Sequence, residues 1–116
     1  MKAIVNKAGE TVAYLYLTII LDKHQTNVLG IVLGNCVFGS KKEPVGKFFN
    51  DIFRKKNGKI IALLGEKSSA KTPDNQADIL LKAWKRLSEL KEHTCAWVEE
   101  KDSWTKESFE ELLAEK

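Results

Sequence analysis

Few residues in this chain have chemistry to offer. His24, Cys36, His93 and Cys95 are soft enough to hold zinc, which accepts two nitrogens and two sulfurs in a tetrahedral site. The spacing argues against it, because His93-x-Cys95 sets two ligands two residues apart and the other two stand far off in sequence. A Cys–His nucleophilic pair would need an orienting third group, and none is marked. Asp22 and His24 are spaced like a general-base pair, but both fall in a polar, turn-forming stretch where solvated side chains are the ordinary outcome. No phosphate loop, dinucleotide glycine fingerprint, nucleophile elbow, Cys-x-x-Cys pair or His-Glu-x-x-His helix occurs in the 116 residues. The expectation is a non-enzyme with no metal and no cofactor.

The elements that would position any site come next. A chain of this length, 43% hydrophobic and 30% charged, suits one compact domain and is too apolar for disorder. No window approaches the ~20 apolar residues of a membrane helix, so no membrane association is expected. Val12–Leu21 follows Lys2 and Lys7 and imitates a secretory leader. Gly9-Glu10-Thr11 interrupts the basic region, however, and no small-x-small site follows, so the stretch is read as structure. Two cysteines are too few for a disulfide scaffold. They read as buried reduced thiols of a cytoplasmic protein, with a Cys36–Cys95 bridge as the alternative that spacing leaves open.

Composition divides the chain. All seven glycines precede residue 67, and all three tryptophans (84, 97, 104) follow it. Residues 1–66 carry a formal +5 and residues 67–116 a −2, which together give the net +3. Gly65 to Pro73 is polar, ends near a proline and reads as a linker. Two segments follow, 1–66 rich in β signals and 67–116 helical, packed as one compact unit.

The first segment repeats. A hydrophobic residue, a small one, then two mostly apolar ones recur as Val12-Ala13-Tyr14-Leu15, Leu29-Gly30-Ile31-Val32, Val45-Gly46-Lys47-Phe48 and Ile61-Ala62-Leu63-Leu64. An apolar pair precedes each copy: Ile4-Val5, Ile20-Leu21, Val37-Phe38 and Ile52-Phe53. Polar turn formers lie between pair and motif, so each unit reads as a β-hairpin. Gly34-Asn35 and Asn50-Asp51 link successive units and tolerate the positive φ angles of two-residue turns. A Gly or Ala at 13, 30, 46 and 62 would let backbones approach where larger side chains hold them apart. One hairpin cannot bury its apolar face alone, but four around a centre can.

These four units of about 16 residues resemble the 4-fold beta flower domain of bacterial proteins, over residues 3–64. The resemblance implies four hairpins in pseudo-fourfold symmetry and brings no catalytic motif to transfer. The chain departs from the pattern at Thr26-Asn27, at Lys42, where a glycine is common, and by one extra residue between units one and two.

In the tail, Thr72-Pro73 offers an N-cap and a first helical position. Apolar residues at 77, 80, 81, 84, 87 and 90 fall at helical spacing and predict one inward face. His93–Val98 leans toward extended structure. A second helix is predicted from Ser103 or Thr105 to Ala114, with Phe109, Leu112 and Leu113 on one side and Glu107, Glu110 and Glu111 on the other. Trp84, Trp97 and Trp104 read as anchors fastening the tail to the sheet. The fold class is therefore α+β: a four-hairpin all-β unit followed by two C-terminal helices.

Electrostatics supply the one functional hint. If the four polar turns occupy equivalent corners, they display Lys7, Lys23, Lys41, Lys42, Arg54, Lys55, Lys56 and Lys59 around one rim, a candidate anion-binding surface. The bland reading is a solvated fringe guarding turns and strand edges, and the acidic tail could fold across it. The sequence therefore points to an interaction or scaffold module that contacts a protein partner. The alternatives are a weak polyanion binder, for phosphate-bearing ligands or nucleic acid, and a small metal-dependent enzyme or sensor. Short hairpin repeats also leave edges that a homo-oligomer would cover. A convergent pocket would favour ligand binding; its absence would favour surface contact.

Overall fold

The computed structural model describes residues 1–40, 43–68, 75–90 and 100–114. Eight strands run antiparallel to their neighbours in chain order: β1 (Lys2–Val5), β2 (Thr11–Tyr16), β3 (Ile19–Asp22), β4 (Val28–Leu33), β5 (Cys36–Phe38), β6 (Pro44–Phe49), β7 (Ile52–Lys55) and β8 (Ile60–Ser68). Each pairs with the next, and β8 returns to β1, so the sheet closes into a barrel with no free edge. Closure solves the problem each hairpin has alone, because every apolar inner face meets the others. Gly65 to Ser68, expected as linker, belong to β8. They are recruited because Lys2 pairs with Ser68 and Ile4 with Leu64 to seal the barrel.

The repeat is visible in the register. Ile4 pairs with Ala13, Ile20 with Gly30, Val37 with Gly46 and Phe53 with Ala62. A bulge or irregularity follows each pair, after Ile4, Ile20, Val37 and Phe53. A Cβ on Gly30 would collide with the Phe38 carbonyl oxygen, and one on Gly46 with that of Arg54, so the small residues mark real backbone crowding. One expectation needs correction. The residues that match the first three pairs in register are Phe53-Arg54, not Ile52-Phe53, since Phe53 takes the place of Ile4, Ile20 and Val37 and a charged residue takes the second place.

Reversals alternate in kind, and antiparallel order sends each kind to its own end. The tight turns at 17–18, 34–35 and 50–51 lie at one end, and the long polar turns at 6–10, 23–27 and 56–59 at the other, where β5 ends and β6 begins. Three long turns share one geometry. Asn6 N–H donates to Glu10 O, Asp22 N–H to Asn27 O and Lys55 N–H to Lys59 O, at 3.0 Å each. Each contains one residue at positive φ: Gly9 (81°), Gln25 (61°) and Gly58 (89°). The second of these turns is one residue longer, which accounts for the extra residue between units one and two.

Two helices finish the chain. Helix α1 (Gln76–Glu89) lies on the outside, and α2 (Phe109–Leu113) is a single capped turn whose Ser108 hydroxyl accepts from Glu111 N–H. The Thr72-Pro73 start expected for α1 and the extended reading of His93–Val98 lie outside the described residues. The second helix is shorter than expected, because 103–105 is held extended. Ile60 N–H donates to Ser103 O and Thr105 N–H to Ile60 O, both at 2.9 Å. Phe109, Leu112 and Leu113 are buried in the same cluster as Ile4, Ile20, Val37 and Phe53, so α2 completes the barrel core. Gross burial of three such side chains contributes about 2 kcal/mol each.

Candidate interaction surfaces

The long-turn end is plugged. Leu113 lies over Gly30 and Gly39, Leu112 approaches Gly46, and Ser40 N–H donates to Leu113 O at 2.8 Å. The glycines on this side leave the space that α2 occupies. Of the candidate cationic rim, Lys7, Lys23 and Lys56 are exposed. Lys55 and Lys59 are half-buried, and Lys55 forms an ion pair with Glu107. Arg54 is not displayed at all. It is buried, and its Nη1 donates to Gly58 O at 2.8 Å and to Lys101 O at 2.6 Å, which straps residues 100–105 to the fourth long turn. It stands where Leu21 and Phe38 stand in units two and three. Lys41 and Lys42 lie outside the described residues. Glu110 and Glu111 are exposed on α2, so acidic groups share this end with the lysines.

The long turns are also internally wired. Asn6 Oδ1 accepts from Ala8 and Glu10 N–H, both at 3.0 Å. Asp22 does the equivalent with Thr26 N–H at 2.9 Å and the Asn27 amide at 2.8 Å. Burial alone would raise the Asp22 carboxyl, but these donors outweigh it and hold the group below its ordinary value. Asp22 is thus a turn cap rather than half of a general-base pair, and His24 is exposed beside it.

Cys36 is buried and disulfide-bonded, which replaces the expected reduced thiol. The other cysteine, Cys95, lies outside the described residues, as does His93. Among the described residues, no three His, Cys, Asp or Glu side chains gather as a metal site.

The tight-turn end is open. A depression of about 310 Å³, open to solvent, lies there, with the partly or fully buried Leu15, Val32 and Phe48 beneath it and the exposed Leu17, Phe49 and Asp51 at its edge. Three repeated hydrogen bonds fix the floor: Val32 N–H to Thr18 O, Phe48 N–H to Asn35 O and Leu64 N–H to Asp51 O, at 2.8, 2.9 and 2.9 Å. Asn50 and Asp51 both adopt positive φ, as a two-residue hairpin turn asks. Leu17 sits at φ 56° where the equivalent turns begin with Gly34 and Asn50, and it is 71% exposed. A leucine in that region costs about 1–2 kcal/mol, and here burial offsets none of it.

Helix α1 presents a third surface. Ile79 and Ala83 pack on Tyr16, Ile19, Leu21 and Val28 of the outer barrel wall. Gln76 Nε2 donates to the Tyr16 hydroxyl at 2.6 Å, and Arg86 Nη1 to Leu29 O at 2.9 Å. Partial burial lowers the Arg86 pKa, against the opposing pull of Glu89. The inward face is therefore 79, 83 and 86, not 77, 80, 81 and 84. Leu81 (68% exposed) and Trp84 (69%) point to solvent, with Leu80 beside them. Trp84 is not an anchor of the tail. Trp104 does touch the barrel, bridging to Ile60, and Trp97 lies outside the described residues.

These features define a small closed β-barrel of four pseudo-equivalent hairpins, plugged from one end by the chain's own terminal helix. The model of the 4-fold beta flower protein family matches residues 2–113, and the chain belongs to that family. The match covers the helices as well as the repeat. No curated protein and no solved structure matches the chain.

Proposed function

We propose that the chain is a non-catalytic interaction module that works by surface contact, with the outward face of α1 as its contact surface. The observation that carries this reading is the exposure of Leu80, Leu81 and Trp84 together on a helix already anchored by its opposite face. Clustered exposed apolar side chains mark interaction sites, and tryptophan is among the strongest anchors of protein interfaces. Lys85 and Lys82, the latter ion-paired with Asp78 at 3.0 Å, flank the patch and are both exposed. The fitting partner is a protein with an apolar cleft edged by acidic residues.

The test is recovery of the partner from the native host with the wild-type chain and with a Leu81→Ser, Trp84→Ser variant, followed by a binding titration of the purified pair. The variant should keep its melting temperature and bind roughly thirtyfold more weakly. Equal binding by both would sink the reading. So would concentration-dependent self-association, or retention on phosphatidylglycerol vesicles that accounts for the patch.

The polyanion reading keeps one supporting observation, the exposed Lys7, Lys23 and Lys56 at one end of the barrel. Heparin retention that fades with salt and is lost on Lys7→Glu, Lys23→Glu and Lys56→Glu would favour it. The compartment turns on Cys36. No helix among the described residues is long and apolar enough to cross a membrane. A reducing cytoplasm and a persistent Cys36 disulfide rarely go together. Thiol labelling of the protein taken directly from cells decides between them.

A further inference from the structure

We propose that the open tight-turn mouth of the barrel binds a small planar aromatic molecule bearing an N–H or O–H donor. Four observations converge on it. The depression, about 310 Å³, is within the range of small-ligand sites and holds roughly ten water volumes, enough for one or two fused rings. Barrel mouths are a recurrent place for such sites. Its floor is apolar, formed by Leu15, Val32 and Phe48, while Asp51 on the rim carries a carboxylate with no hydrogen-bond or ion-pair partner among the described residues.

Rings already line the barrel below that floor. Phe109 of the plug meets Phe53 edge-on, with centroids 5.0 Å apart, and Phe53 stacks on Phe48 at 4.3 Å. Phe48 is the last ring of this series and faces the depression. A planar aromatic seated there extends an existing stack, with its donor toward Asp51. Leu17 supplies the fourth observation. It holds a left-handed backbone conformation and stays exposed at the rim, where Gly34 and Asn50 serve the equivalent turns without strain. Strain kept at an exposed apolar residue points to a role in covering a guest. The site is separate from the α1 face, and neither reading depends on the other.

The probe is indole, titrated into isotope-labelled protein and followed by amide chemical shifts, with benzoate as comparator. Saturable shifts at Leu15, Val32 and Phe48, with a Kd at or below about 1 mM, are expected. Benzoate, repelled by Asp51, should bind at least about threefold more weakly. A Leu17→Ser, Phe49→Ser variant, altered only at exposed rim positions, should stay folded and lose about tenfold in affinity. Shifts that never saturate, that map to Trp84 and its neighbours, or that persist undiminished in the folded variant would overturn the proposal. Benzoate binding as tightly as indole would do the same.

Discussion

Arg54 and Lys101 are 47 residues apart in sequence and are joined by a 2.6 Å bond from guanidinium to main-chain carbonyl. The same nitrogen also serves Gly58 O, so one buried side chain fastens the C-terminal segment to the fourth long turn. Arg54→Met keeps much of the aliphatic bulk and strands two carbonyls. The expected loss is about 2–3 kcal/mol in urea unfolding. Hydrogen exchange should rise first at Ile60, Lys101 and Thr105, whose N–H groups bond along this seam. Uniform acceleration across the barrel, with this seam no faster than the rest, would contradict the strap.

Crowding at the four small positions makes a second expectation. Gly46→Ala would drive a Cβ into the Arg54 carbonyl, and Gly30→Ala into that of Phe38. Backbone cannot swing aside as a side chain can, so each should cost about 3 kcal/mol or more. Ala13→Gly, at the equivalent place in unit one, meets no such clash; it adds chain freedom and removes one buried methyl, and should cost about 1–2 kcal/mol. Chemical denaturation of the three variants checks the order. A cost for Gly30→Ala or Gly46→Ala no larger than that for Ala13→Gly would mean that the carbonyls do not crowd these two glycines.

The repeat was legible because small residues at 13, 30, 46 and 62 answer a backbone demand that no longer side chain can meet. Closure was hidden, since the β1–β8 pairing joins the ends of the segment and uses the polar residues around Lys2 and Ser68. Arg54 is not legible as a buried residue because a charged side chain in a polar turn looks solvated, yet its stem fills the place of Leu21 and Phe38 and its charge is spent on carbonyls. On α1, helical spacing identified an apolar stripe but not which side the barrel takes. Leu80, Leu81 and Trp84 form the stronger stripe, while Ile79, Ala83 and Arg86 make the contact. The open mouth had no sequence signal beyond Leu17, an odd residue for a two-residue turn.

Gln25 gives a prediction of the opposite sign. It holds φ 61° where the first and fourth long turns have Gly9 and Gly58. Gln25→Gly should relieve left-handed strain by more than it adds to unfolded-chain freedom, a net gain of about 0.5–1 kcal/mol. A raised melting temperature is the readout. Gln25→Ala, which keeps the strain, should show no such rise.

Acid sensitivity follows from Asp22. Its carboxyl is held below the ordinary value in the folded chain, where burial is outweighed by donors from Thr26 and Asn27. The ionised form is thus favoured by folding. Its contribution is present above the unfolded carboxyl value, roughly 4, and disappears as pH falls through the lower folded value. Asp22→Ala should cost about 1 kcal/mol at neutral pH, as loss of a side-chain cap does elsewhere. Below about pH 4 the gap between wild type and variant should narrow, because wild-type Asp22 is then protonated too. Unfolding free energies measured at pH 7, 5 and about 3 test this. A gap that stays constant across that range would mean that the second long turn does not depend on the charge of Asp22.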